Sequence, residues 1–215
     1  MSPKTRLDTD FFGPGDRWQT VAGIDEVGRG CLFGPVVAAA VVLPEAAIAP
    51  LQQAGVTDSK QLSQQRREQL YPLICETAEA VAWGLSSVAE IERWNILQAT
   101  FLAMRRALAK IDRPLSRCLI DGNQRLPKLE LAQTSVVQGD RHCVTIAAAS
   151  ILAKVWRDRL LERLDDRYPD YGLRQHKGYG TAQHRQALLQ FGPTPLHRPR
   201  FLRSLLQQPQ QISLF

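Results

Sequence analysis

Acidic residues stand at the ends of three apolar segments of this sequence, and their types and spacing suit them to chemistry. The four candidates are Asp25, Glu26, Asp121 and Asp140. The apolar segments have the length and β-branched content of buried strands. A single aspartate at a strand end is usually a turn residue, but three strand ends of one sheet would bring these carboxylates within a few Å of one another. We therefore predict a shared carboxylate site.

Carboxylates held this close repel one another, and the repulsion can be relieved in two ways. Either one group keeps a proton, as in an acid/base dyad, or hard divalent cations bind between them. A set of oxygen ligands without paired His or Cys favours Mg²⁺ or Mn²⁺ over zinc. Two such ions about 3.5–4 Å apart can activate a water and stabilise the leaving oxygen of a phosphodiester. The residues leave both a two-metal hydrolase and a metal-free acid/base hydrolase open.

Asp25 and Glu26 lie in a predicted β-hairpin. Two apolar runs, residues 20–24 and 36–43, flank the glycine-rich residues 28–34. Adjacent residues of a regular strand face opposite sides of a sheet. We therefore expect the backbone to leave strand geometry at this acidic pair, so that both carboxylates face one site.

The remaining pattern predicts helices packed on a sheet. A strand is expected over residues 80–88, a long amphipathic helix from about residue 89, and another helix from 143 to about 167. The last of these begins with small side chains, which would let its backbone approach the sheet closely. The helix from about residue 89 carries a continuous apolar row: Trp94, Leu97, Phe101, Met104, Leu108 and Ile111.

Length and composition predict one globular domain, because 215 residues with 44% hydrophobic content can bury a full core. We expect a flexible leader over residues 1–18, the domain over 19–203 with a basic helical part at about 168–203, and a tail over 204–215. No N-terminal apolar segment and no apolar run near the ~20 residues that span a bilayer occur. The prediction is a cytoplasmic monomer without a membrane partner.

The net charge of +6 is placed unevenly. Residues 1–153 carry 16 Lys/Arg and 16 Asp/Glu, whereas residues 154–215 carry 11 basic and 5 acidic residues. A basic C-terminal third suits a phosphate-backbone partner, although a solvated basic surface explains the charge equally well.

The sequence resembles the bacterial ribonuclease HII family over about residues 20–203. Five blocks in a specific order carry the resemblance: Gly23–Gly30 with Gly34–Pro35, Asp58–Lys60, Ile120–Asn123, Gly139–Asp140 with Ile146–Lys154, and His176–Thr181. The resemblance implies an RNase H-like α/β fold, with a mixed five-stranded sheet flanked by helices and a small helical C-terminal region. It also implies that Asp25, Glu26, Asp121 and Asp140 are the catalytic metal ligands.

The same resemblance implies the substrate and the product. The expected activity is cleavage on the 5′ side of a ribonucleotide in duplex DNA, or within the RNA of an RNA/DNA hybrid, leaving 3′-hydroxyl and 5′-phosphate. Gly28, Arg29 and Gly30 would contact the 2′-hydroxyl through backbone that lacks Cβ bulk at two positions. Tyr179 would pack on the next sugar. Lys60 and Lys177 are candidate phosphate contacts, with plain solvated lysines as the alternative.

Three further expectations complete the prediction. Residues Gln211–Phe215 resemble the short peptide by which bacterial DNA enzymes dock on the sliding clamp, with an unstructured tail as the alternative. A non-catalytic duplex-binding module with this fold would have lost an acidic position, and all four are present. The histidines share no metal-like spacing, so surface or supporting positions are expected for His142, His176, His184 and His197.

Overall fold

The structure is a computed structural model that describes residues 8–206. Five strands form one sheet in the order β3-β2-β1-β4-β5. They are β1 (Val21–Val27), β2 (Val36–Val42), β3 (Ala80–Ser86), β4 (Arg117–Asp121) and β5 (Ala132–Val136). β1, β2 and β3 pair antiparallel in succession, whereas β4 pairs parallel to β1, and β5 parallel to β4. The predicted mixed five-stranded sheet is confirmed.

Helices cover both faces of this sheet. Those of the described residues are α1 (Glu45–Gln53), α2 (Gln64–Thr77), α3 (Val88–Leu108), α4 (Gly139–His142), α5 (Val144–Asp165), α6 (Leu173–His176), α7 (Ala182–Phe191) and α8 (Pro199–Leu206), with short 3₁₀ helices at Asp8–Phe11, Trp18–Thr20, Ser59–Gln61 and Pro169–Tyr171. α3 packs on one face, and α5 with α1 and α2 on the other. β2 is buried along its whole length, as a strand covered on both faces must be.

α5 approaches β1 as closely as the small side chains of its first turns predict. A Cβ added at Gly23 of β1 would lie 2.6 Å from the carbonyl carbon of Thr145 in α5. Only glycine fits between the two backbones at this point. The contact fixes the start of α5 over the centre of the sheet.

α3 departs from the predicted continuous apolar row at its first turns. Asn95 has φ +69°, and its side-chain oxygen accepts hydrogen bonds from the amides of Leu97 and Gln98, so it restarts the helix as an N-cap residue does. The change of direction leaves Trp94 48% exposed. Trp94 was therefore wrongly placed in the buried row, whereas the later member Met104 is buried.

Residues 8–18 pack on the domain rather than forming the predicted flexible leader. The buried Asp8 carboxylate accepts hydrogen bonds from the amides of Val144 and Thr145, at 2.8 and 2.9 Å. It thereby satisfies free N–H groups in the first turn of α5. Asp16 pairs with Arg117 of β4. These contacts contradict a leader over residues 8–18; residues 1–7 lie outside the described part.

The predicted helical C-terminal region is present over residues 169–206. α6, α7 and α8 pack around the C-terminal half of α5, and their buried side chains form a separate core with Phe33 and Leu161. None of the helices between residues 8 and 206 is long and apolar enough to cross a membrane.

Candidate metal centre

β1 stays regular through the acidic pair, so the expected break in strand geometry is wrong. Asp25 pairs with Ala39 and Glu26 with Ala38, and the pairing with β2 continues to Val27. Each of these residues has a partner across the ladder, which leaves no reason for the strand to bend. Consequently the two carboxylates point to opposite faces of the sheet.

Asp25 faces α5, and Glu26 faces α3. The Asp25 carboxylate accepts a hydrogen bond from Ser150 of α5, whose hydroxyl also lies 2.8 Å from that of Ser59. Glu26 lines a cavity together with Thr100 of α3, and its Oε1 accepts a hydrogen bond from Nη1 of Arg29 at 3.2 Å.

Asp140 does not end a strand, contrary to the prediction. β5 ends at Val136, the chain turns at Gln138 with φ +54°, and Asp140 lies in the first turn of α4. The amide of Gly139 donates to Oδ1 of Asp121 at 2.7 Å. The turn thus brings Asp140 beside the aspartate that ends β4.

Three of the four predicted carboxylates meet at the sheet edge. One oxygen each of Asp25, Asp121 and Asp140 lies within 4.8 Å of the other two. Asp25 and Asp121 meet because β1 and β4 are parallel neighbours, with Ile24 opposite Ile120. The prediction of a shared site is right for these three residues.

Burial and mutual repulsion shape the electrostatics of this carboxylate centre. Burial, with the charges of Glu26 and Asp121, raises the pKa of Asp25 well above its usual range. Burial and the charge of Asp121 also raise the pKa of Asp140. An oxygen-only donor set with like charges this close fits a hard divalent cation. Such a cation would replace the repulsion with attraction.

Glu26 lies outside this group of three but interacts with it. Burial raises the pKa of Glu26, and the charge of Asp121 raises it further, while Arg29 opposes the shift. Lys60 lies on the solvent side of the centre, with Nζ 3.6 Å from Oδ2 of Asp140 and its side chain 76% exposed.

The residues predicted to read the ribose lie together on one surface. Gly28 has φ +91°, and a Cβ added there would lie 2.3 Å from Nε of Arg157, so glycine is required. A Cβ at Gly30 would meet open space, and Arg29 is half exposed. The amide of Leu32, in the same loop, donates to the carbonyl of Gly178 at 2.9 Å, which holds Tyr179 next to this loop.

Lys177 is placed differently from the predicted phosphate contact. The residue is buried, and its Nζ lies 2.6 Å from Oε1 of Glu162 and 2.5 Å from the carbonyl oxygen of Arg174. Its ammonium group is therefore engaged in an internal ion pair with α5 and does not face the carboxylate centre.

Sequence reasoning missed the buried residues Asp8, Arg157 and Arg198, whereas His176, His184 and His197 were expected at surface or supporting positions and are buried. The partners of Asp8, Arg157 and Arg198 include backbone groups more than 100 positions away, so no local spacing signals these three residues. The three histidines form one cluster, with ring centroids of His176 and His184 4.3 Å apart and those of His184 and His197 5.3 Å apart.

The sheet order, the flanking helices and the carboxylates of β1 and β4, joined by Asp140 of α4, define an RNase H-like hydrolase. A family model described as Ribonuclease HII matches residues 22–204. A protein named Ribonuclease HII from Synechococcus elongatus is 82% identical over 215 residues, covering all of both chains. The chain therefore belongs to the ribonuclease HII family and is a ribonuclease H type 2 enzyme, as the five sequence blocks indicate.

Solved structures agree with this assignment. The ribonuclease H2 of Pyrococcus horikoshii matches with a TM-score of 0.72 and 28% identity, covering 86% of this chain and 96% of that one. The ribonuclease HII of a PCNA complex from Archaeoglobus fulgidus matches with a TM-score of 0.70 and 27% identity, covering 88% and 98%. The RNase H-like fold predicted from the sequence is confirmed.

Proposed function

We propose that the chain cleaves duplexes at ribonucleotides. The bond hydrolysed is the phosphodiester on the 5′ side of a ribonucleotide embedded in DNA, or within the RNA of an RNA/DNA hybrid, and the products carry 3′-hydroxyl and 5′-phosphate ends. The observation that carries the proposal is the approach of Asp25, Asp121 and Asp140 to within 4.8 Å beside the loop over residues 28–30, in which Arg29 and Gly30 are exposed. A nuclease centre and a surface open to a sugar-phosphate backbone are thus adjacent.

The cofactor we propose is Mg²⁺ or Mn²⁺, with two ions in the active complex. Asp25, Asp121 and Asp140 would hold one ion through carboxylate oxygens, the ligands that both metals prefer. Glu26 would join from the opposite face of β1 when Arg29 releases it, since the charge of Asp121 already acts on Glu26 and raises its pKa. When bound, the ions supply an activated water and stabilise the 3′-oxygen that leaves.

The chain's own residues would select and orient the duplex. Backbone groups at residues 28–30 would meet the 2′-hydroxyl, because a Cβ at Gly30 would meet open space and the surface there is unobstructed. The half-exposed ring of Tyr179 would pack on the next sugar and favour deoxyribose there. Lys60, whose side chain projects into solvent beside Asp140, would contact a phosphate.

The decisive experiment uses a DNA duplex with one embedded ribonucleotide. Wild type and Asp25→Asn are incubated with Mg²⁺, with Mn²⁺ or with EDTA. We expect one cut 5′ of the ribonucleotide by wild type with metal, and none in EDTA. Cutting in EDTA would favour the metal-free acid/base hydrolase. Binding without cutting under every condition would favour the duplex-binding module.

A second proposal concerns the C-terminal residues Gln211–Phe215, which lie outside the described residues. We propose that they dock on a sliding clamp, and the PCNA complex solved for the Archaeoglobus fulgidus ribonuclease HII supports a partner of this kind. Deletion of residues 211–215 should abolish clamp binding in surface plasmon resonance and leave cleavage unchanged. Equal clamp affinity before and after deletion would remove the proposal. The cytoplasmic location and the monomeric state stay predictions.

A further inference from the structure

The loop between β1 and β2 is held by arginine side chains. The Arg157 guanidinium donates from Nε to the carbonyl of Pro35 at 3.1 Å and from Nη2 to that of Phe33 at 2.9 Å. Arg198 donates from Nε to the carbonyl of Gly34 and from Nη1 to that of Arg29, both at 2.9 Å. Four carbonyls of one irregular loop are thus bound by two forked side chains.

Arg157 also binds the loop that carries Tyr179. Its Nη1 donates to the carbonyl of Lys177 at 2.9 Å, two residues before the tyrosine. The same guanidinium therefore contacts both halves of the surface proposed to read the substrate sugars. Gly28 lies directly against it, since a Cβ added there would sit 2.3 Å from Nε.

Tyr179 is held from its other side as well. Its amide donates to the carbonyl of His176 at 2.9 Å, and its own carbonyl accepts from Nδ1 of His184 at 2.9 Å. With both of its backbone groups engaged, the tyrosine backbone has little freedom to move. The position of its ring relative to the β1–β2 loop is then set by two links, the hydrogen bond from the Leu32 amide to the Gly178 carbonyl and the bridge through Arg157.

Both arginines are completely buried, and no carboxylate lies within ion-pair distance of either within residues 8–203. Nη2 of Arg198 has no hydrogen-bond partner among the described residues. Burying a guanidinium costs desolvation free energy, and burial lowers the pKa of Arg198 to about 10 although the charge of Glu92 opposes the shift. The charge-assisted hydrogen bonds to loop carbonyls offset part of this cost, so the two side chains are held in place by the loop geometry that they fix.

We propose that Arg157 and Arg198 are positioning residues for ribonucleotide selection, which fix the backbone of residues 28–30 at a set distance from Tyr179. The inference rests on the proposed function. A planar fork binds two carbonyls in fixed directions, which a single ammonium cannot do. Displacements of about 1 Å at a reading surface are enough to cost large factors in rate.

The test replaces each arginine by lysine, which keeps the positive charge and removes the fork. For Arg157→Lys and Arg198→Lys, kcat and KM are measured on a duplex with one ribonucleotide and on an RNA/DNA hybrid. We expect the ratio of the two kcat/KM values to fall about tenfold, mostly on the single-ribonucleotide substrate, while kcat on the hybrid stays within about threefold. An unchanged ratio in either folded variant would overturn the proposal.

Arg106→Lys is the matched control. Arg106 also binds a backbone carbonyl, that of Leu85, and pairs with Glu90, but it contacts neither loop. The Arg106→Lys variant should be less stable than wild type, with no change in the ratio of the two kcat/KM values. A ratio that falls equally in Arg106→Lys would show that general loosening is the cause and would overturn the proposal.

The stabilisation of each variant by Mg²⁺ reports separately on the carboxylate centre. We expect the rise in Tm with metal to equal that of wild type, which shows that the fold and the ligands are intact. If both variants are unfolded even with metal, the arginines are structural and the proposal is overturned. If wild type cuts neither substrate, the proposed function itself fails, which is a different result.

Discussion

The carboxylate centre and the histidine cluster each bring three titratable side chains together, all buried except the half-buried Asp121, but the polar groups of the two clusters are partnered in opposite ways. Asp25, Asp121 and Asp140 face one another with oxygens of like charge, and Lys60 near Asp140 is the one cation that pairs with them among the described residues. In the cluster, Nε2 of His184 lies 3.1 Å from Nε2 of His197 as a hydrogen bond between neutral rings.

The neighbours of the histidines assign their tautomers. Nδ1 of His197 accepts from the amide of Thr194 at 2.9 Å, so its Nε2 carries the proton and donates to His184. His184 in turn donates from Nδ1 to the carbonyl of Tyr179. Every ring nitrogen of this pair has a partner, and burial lowers the pKa of both rings to about 4.

The difference teaches that burial and clustering by themselves do not mark a functional site. The neutral rings of the histidine cluster find their hydrogen-bond partners within the protein. In the carboxylate centre the like charges are only partly offset by Lys60 among the described residues, and the oxygen donor set fits a divalent cation. The predictions below test this contrast.

The largest effect is expected from Asp25→Asn. Cleavage should fall about 100- to 1,000-fold, the range seen when a group that organises transition-state charge is removed. Stability without metal should rise, because the raised pKa of Asp25 means that its ionised form disfavours the folded state at neutral pH. Initial rates and urea unfolding in EDTA measure both.

Asp16→Asn is the control for this substitution. Burial acts to raise the pKa of Asp16, but hydrogen bonds from Arg117 and Gly13 lower this pKa overall. This aspartate is satisfied when charged, so its replacement should cost about 1–2 kcal/mol of stability and leave cleavage unchanged. A loss of metal-free stability in Asp25→Asn, or a loss of cleavage in Asp16→Asn, would contradict this difference between the two aspartates.

Acid should destabilise the histidine cluster. The folded pKa of His184 and of His197 is about 4, below the ordinary value of 6.5, so the unfolded chain binds more protons between these pH values. Stability therefore falls as pH drops from 6.5 towards 4, by up to about 1.4 kcal/mol per pH unit for each proton. Urea unfolding from pH 4 to 7 should show a shallower slope for His197→Gln; an identical slope would refute the assignment.

Divalent cations should stabilise the folded protein through the carboxylate centre. The histidine cluster should contribute nothing to this gain. Mg²⁺ or Mn²⁺ at 100 times its Kd should add about 2.7 kcal/mol to the free energy of unfolding. Asp121→Asn should lose most of this gain, and His197→Gln should keep it. Unfolding curves with metal and with EDTA provide the measurement, and an equal gain in Asp121→Asn would argue against a metal site here.

The smallest effects concern the two lysines. Lys60→Met should weaken duplex binding a few-fold and reduce the slope of log K against log salt by about 1, as the loss of one phosphate contact does. Lys177→Met should leave that slope unchanged and lower stability, because its ammonium pairs with Glu162. Binding titrations at several salt concentrations distinguish the two, and a reduced slope for Lys177→Met would place it at the substrate.

Much of the fold and part of the site could be predicted from local sequence. Apolar runs and helical periodicity located all five strands and the long helices to within a few residues, because these signals are local. Ser63 and Thr181, of the residue types that favour helix starts, are the N-caps of α2 and α7. The acidic residues at strand ends pointed to Asp25 and Asp121 for the same reason.

Other features depend on which face a residue takes. Glu26 was expected beside Asp25, but the regular pairing of β1 with β2 sends it to the α3 side. Asp140 reaches the site through a helical turn after β5 rather than through a strand end. Such outcomes depend on neighbouring strands and turns that local patterns do not specify.

By itself, the sequence determined the family, the succession of the five strands and the long helices along the chain, and the acidic residues capable of metal chemistry. The tertiary structure decided which of these acidic residues meet, and which buried polar groups find their partners within the protein. Asp8 capping a helix 136 positions away and Arg157 bridging two loops illustrate why. Partners so distant in sequence are chosen by the packing of whole elements, and no local pattern of residues encodes that packing.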